Sequence, residues 1–156
     1  MIGLLRKFLK QPLPIDATKY LDGTGNFSTP AGGAVTTQTK TIVCQVDGGG
    51  SVISTGIKSD IRIPYGATIT KVTLLANTTG NIVFDVWSTV YANYPPTVSN
   101  SITGTTAKPT ITAAVKTESS TLTGWVTTIT SGDCIRFNVD TCTTITRCAM
   151  VMEVNI

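Results

Sequence analysis

Two hydrophobic rhythms divide this chain. Near its start, Leu4, Leu5, Phe8 and Leu9 recur at i, i+3 and i+4 while Arg6, Lys7 and Lys10 lie off that stripe, which predicts a short amphipathic helix. Such a helix is too short to persist alone in water and needs a partner. Pro12 and Pro14 stop it, and residues 19–30 read as a Gly-rich extended stretch. From Gln38 onward the period becomes two, the signature of strands.

Ile42, Cys44 and Val46 alternate with mixed neighbours up to an Asp47-Gly48-Gly49-Gly50 turn. Ile57, Ser59, Ile61 and Ile63 then oppose Lys58, Asp60 and Arg62, a half-buried strand closed by Pro64-Tyr65-Gly66. Ile69, Val72, Leu74 and Leu75 predict the next strand, with a phase slip at Thr70 and Lys71 that reads as a bulge. Thr78-Thr79-Gly80-Asn81 predicts a turn into residues 82–91, where bulky groups on both faces imply that both are covered. Residues 93–109 form a long excursion broken by Tyr94-Pro95-Pro96 and Lys108-Pro109, with a short strand near 101–103. Residues 110–120 carry no assignable pattern, and strands over 122–129, 134–139 and 145–154 complete the chain.

Short strands joined by turn residues, with no long helix between them, predict an all-β fold. The expected architecture is an antiparallel β-sandwich of jelly-roll type with an extended N-terminal arm carrying a short helix. The expected organisation is an anchor at 1–14, a Gly-rich linker at 15–38 and a sandwich domain at 39–156. Composition supports the β reading: charged residues are only 13%, and threonine supplies 30 of 156 positions.

Charge changes the picture through its placement. The net +3 is carried by Arg6, Lys7 and Lys10, leaving nine basic against nine acidic residues in the remainder. The body therefore lacks the basic footprint of a nucleic-acid binder. No stretch approaches the roughly 18 apolar residues of a membrane span, so neither nucleic acid nor membrane is an expected partner.

Histidine is absent, which removes the commonest general base and a frequent metal ligand. No catalytic residue, cofactor site or metal site is expected, and the chain reads as a non-enzyme. Asp133 and Asp140 flank a strand as turn residues. Cys44, Cys134, Cys142 and Cys148 lack paired Cys-x-x-Cys spacing, and the in-phase placement of Cys44 and Cys148 among apolar positions favours buried free thiols over bridges. Tyr91, Tyr94 and Trp87 are candidate glycan contacts, since the tyrosines sit where a strand opens into a Pro-rich loop. The alternative is that Trp87 and Trp125 pack the core or a subunit interface while the tyrosines brace the loop.

Residues 19–30, Lys-Tyr-Leu-Asp-Gly-Thr-Gly-Asn-Phe-Ser-Thr-Pro, resemble a motif of bacteriophage tail fibres: aromatic-Leu, a Gly-Asp-Gly-like turn, an aromatic, then Pro. Here the turn is permuted and the usual Trp is Phe27. Residues 61–66, 86–97 and 132–140 are similar to a β-domain of phage virion proteins. The resemblance implies a homotrimer, with Tyr20, Leu21 and Phe27 packed where three linkers wind together. The absence of a long shaft points to a capsid decoration (cement) protein, a short head fibre or a short tail-tip appendage. Ile2, Leu4, Leu5, Phe8 and Leu9 would anchor it to the major capsid or tail protein of a virion assembled in the host cytoplasm. The rival expectation is a receptor-recognition protein, a tail fibre or adhesin, that binds a host-surface glycan.

Overall fold

The computed structural model describes residues 20–21, 23–24, 26–28, 36–105 and 107–156. The expected helix and the anchor residues Ile2, Leu4, Leu5, Phe8 and Leu9 lie outside the described residues. The chain divides into two units, Met1–Thr36 and Thr37–Ile156. In the first, β1 (Tyr20–Leu21) pairs antiparallel with β2 (Phe27–Ser28), Tyr20 opposite Ser28 and Leu21 opposite Phe27. A segment expected to run extended thus contains a small hairpin, turning through Gly23 and Thr24.

The second unit is all-β: β3 (Thr39–Asp47), β4 (Gly56–Arg62), β5 (Ala67–Thr89), β6 (Thr110–Ser119), β7 (Thr128–Ile129), β8 (Cys134–Thr143) and β9 (Arg147–Asn155). The strands form one antiparallel sheet in the order β3-β9-β5-β8-β4, with β6 and β7 also pairing to β5. This sheet curls into two facing layers, and the alternating strands β3, β8 and β9 turn their buried positions to a shared core. The curl, rather than a jelly-roll winding, is what the strand order establishes.

The 23 residues of β5 create that curl. Its first half pairs with β9, from Thr68 opposite Asn155 to Ala76 opposite Cys148. Its second half pairs with β8, from Asn81 opposite Thr143 to Thr89 opposite Cys134. The turn expected at residues 78–81 is therefore corrected: the chain runs through it as strand. Gly80 is buried, and a Cβ there would collide with Thr144 Oγ1 and the Thr143 carbonyl. The missing side chain lets β5 lie against the β8–β9 connection while it passes from one layer to the other.

The bulge expected near Thr70 is present as a register shift between Ile69 and Lys71. Residues 110–119, which have no readable period, are strand β6. Its pairing with β5 shifts register around Gly80, and Ala113 adopts φ 46°, so burial along β6 does not alternate. The strand expected over 122–129 shrinks to β7 because the Leu122 carbonyl accepts the Trp125 N–H and Gly124 takes φ 84°.

Ile42, Cys44 and Val46 from β3, Leu74 and Phe84 from the two halves of β5, Phe137 from β8 and Met150 and Met152 from β9 share one core. The terminal strands of the order also approach each other, with Cys44 Sγ 3.3 Å from Ser59 Oγ. All four cysteines are free thiols, three of them buried. One expectation fails here: β4 is not half-buried. Ile57 is 54% exposed and Ile61 40%, leaving only Ile63 of that set in the core. The cause is an edge position combined with a bulge between Ile57 and Ser59 that breaks the alternation.

Gly80→Ala should lower stability by about 1–3 kcal/mol through overpacking at the corner. Urea unfolding would show this as a lower midpoint with an unchanged slope.

Candidate functional site

Along the second half of β5, Ile82, Phe84 and Val86 fill the core, so Asp85 and Trp87 face the other way. Residues 90–105 and 107–109 fold over this outer face. Two short 3-10 turns, Tyr91–Asn93 and Val98–Asn100, shape the excursion, and the second starts with a reciprocal Thr97–Asn100 capping box. The Ile102 N–H donates to the Val86 carbonyl at 2.8 Å, the Phe84 N–H to Pro109 at 2.9 Å, and Trp87 bridges to Ser101.

A polar network lies beneath. Asp85 is fully buried, and its carboxylate accepts hydrogen bonds from Ser101 Oγ (2.6 Å), Thr103 Oγ1 (2.7 Å) and Lys108 Nζ (2.9 Å). Lys108 also donates to Asp140 at 2.7 Å, and Asn138 holds the other Asp140 oxygen at the same distance. Asp140 is thus a strand residue in an ion pair, not the turn residue expected; Asp133 does hold its turn, accepting the Thr130 N–H. Burial opposes ionisation of Asp85, but the donors outweigh it and hold the carboxyl below its ordinary range. Burial likewise opposes the Lys108 charge, and Asp140 and Asp85 together raise it. The Trp87 indole N–H is buried with no partner in hydrogen-bond geometry, although it sits near enough to Asp85 to favour the charged form.

A second cluster pins the loop tip. Arg136 on β8 makes a bidentate pair with Asp60 on β4, Nε at 2.7 Å and Nη2 at 2.8 Å. Its Nη1 donates to the Pro96 carbonyl, and Tyr94 donates its hydroxyl to Asp60 at 2.6 Å. The Arg136 guanidinium holds Asp60 ionised to lower pH, while Asp60 raises the Tyr94 hydroxyl. β4–β8 pairing explains the geometry, since Asp60 lies directly opposite Arg136.

Tyr91 and Tyr94, which are 67% and 47% exposed, line one pocket of about 240 Å3 with Asp60, Ile61, Arg62 and Cys134. The structure therefore brings together two of the three candidate glycan contacts. Trp87 is half-buried on β5 and does not line the pocket; Trp125 packs against the core and donates to the Ala107 carbonyl. Asp60, Arg62 and Arg136 escaped sequence reasoning as site residues. Alternation places all three on polar faces of their strands, but which strands pair is not written in that pattern. A larger groove of about 680 Å3 runs beside Gln45, Leu75 and Arg147, where Asn77 is committed to Thr146 and to the Arg147 backbone. Among the described residues no cluster of His, Cys, Asp or Glu could hold a metal ion, and no helix is long and apolar enough to cross a membrane.

Comparison with protein-family models, curated proteins and solved structures gives no match to this chain.

The two depressed carboxylates set a pH dependence. Asp60 and Asp85 remain ionised in the folded chain where an unfolded carboxyl, near 3.8, takes up protons. The unfolded state then binds more protons, so their contribution is intact above that value and lost as pH falls through the folded values. Urea midpoints should fall as the pH is lowered below about 4, and Asp60→Asn should make that fall shallower.

Proposed function

We propose that this chain is a bacteriophage virion structural subunit that acts by binding alone. Residues 1–14 dock on the major capsid or tail protein, residues 15–38 join three chains, and the sandwich is displayed outward as a decoration or short head-fibre element. The observation that carries this reading is the commitment of the body's charged side chains around residues 90–109 to one another. Asp85, Lys108 and Asp140 bond to one another, and Asp60 to Arg136 and Tyr94. Groups saturated in this way hold a shape and are not poised for proton transfer or nucleophilic attack. The resemblance of residues 19–30 to fibre linkers supports the virion setting.

The full chain should sediment as a trimer and co-sediment with the particle. Removing residues 1–10 should preserve the folded trimer and abolish attachment. A truncated protein that still decorates particles would remove the anchor from the proposal.

A second reading, recognition of a host-surface glycan, is favoured by one observation: Tyr91 and Tyr94 are exposed around a single pocket on a loop held rigidly by Asp60 and Arg136. Glycan-array binding that disappears in Tyr94→Ala, with oligomeric state unchanged, would support it.

A further inference from the structure

Charge in the tyrosine pocket is unbalanced, and the imbalance has one source. Both oxygens of Asp60 are occupied by Arg136, and one also by Tyr94. That carboxylate is therefore neutralised and has little capacity left to accept from a ligand. Arg62 is different: its Nε makes one long hydrogen bond to the Gly132 carbonyl (3.4 Å), and its Nη groups have no acceptor among the described residues. Its guanidinium carbon lies 5.0 Å from the centre of the Tyr91 ring, which orients the fork without consuming its donors. The pocket thus offers two exposed aromatic rings and one oriented, uncommitted guanidinium.

We infer that this pocket takes a carboxylate-bearing saccharide, its ring against Tyr91 and Tyr94 and its carboxylate on the Nη groups of Arg62. The inference rests on the glycan reading of the loop. A planar fork matches a carboxylate bidentately, and stacking on Tyr91 reduces the ordering cost of binding. The volume of about 240 Å3 lies below the roughly 300–1,000 Å3 of drug-sized sites and suits one ring better than a length of peptide.

The test titrates the full chain with methyl glucuronide, methyl galacturonide and a methyl sialoside, each against its own methyl ester, which removes the charge and keeps the ring. At least one acid should bind about tenfold or more tightly than its ester, the scale of a charge-assisted hydrogen-bond pair. Arg62→Gln should erase that difference, and Lys116→Gln, which removes the same charge outside the pocket, should keep it. Arg62 is exposed and makes a single long hydrogen bond, so an unchanged melting curve is expected for the variant. Acid and ester binding alike, with both lost in Tyr94→Ala, would overturn the carboxylate assignment and leave the glycan reading standing. An acidic hexapeptide that binds through Arg62 when no saccharide does would overturn it in favour of a protein partner. No binding by any probe would remove both the inference and the glycan reading.

Discussion

The fold depends on β5 being able to serve two layers, and that ability depends on a missing side chain. Gly80 is pressed against Thr143 and Thr144, so the strand crosses from β9 to β8 without a turn. One consequence is that Leu74 and Phe84, on the same strand, pack into one core from opposite layers. Another is that the ends of the sheet, β3 and β4, are brought close enough for Cys44 to contact Ser59. Burial follows from that near-closure. Cys44 and Cys148 lie deep enough that desolvation raises their thiols, the latter to about 11, so they behave as small packed hydrophobes and not as nucleophiles.

Curling the sheet inward leaves the outer face of β5 to be covered by something else. The excursion over residues 90–105 and 107–109 does this, and covering Asp85 would be costly if it brought no donors. Ser101, Thr103 and Lys108 all come from the excursion itself. Other placements of this loop would strand a buried carboxylate, so the polar network selects its register more than it adds net stability. Lys108 keeps some exposure, at 23%, which lessens the desolvation that fully buried pairs must overcome. Asp60 and Arg136 then fix the far end, where Tyr94 and the Pro96 carbonyl are held.

Alternation made the core strands legible: Ile42, Cys44 and Val46 sit as their spacing indicates, and so do Met150, Met152 and Val154. The phase slip at Thr70 marks a real bulge. Residues 78–81 misled because a Thr-Thr-Gly-Asn run has turn chemistry, whereas this glycine meets a need for close approach that arises only in three dimensions. β4 misled for the opposite reason, since perfect alternation cannot show that a strand lies at an edge, where Ile57 stays exposed. The tyrosines were visible from the loop they open. Their charged neighbours were not, because Asp60 and Arg136 are 76 residues apart and meet only through the pairing of β4 with β8.

Two arginines beside that loop differ in how their positions commit their donors. Arg136 lies on an interior strand beneath the loop, and three of its N–H groups are spent on Asp60 and the Pro96 carbonyl, which holds Tyr94 in place. Arg62 lies at the free end of the edge strand, where the carboxylate that could have paired with it is already taken. An edge strand lacks a neighbour on one side, so charge placed there is left facing outward. The same constraint that exposes Ile57 and Ile61 therefore produces the pocket's one uncommitted guanidinium. Rigidity comes from the paired arginine, while the one beside it keeps its Nη donors open.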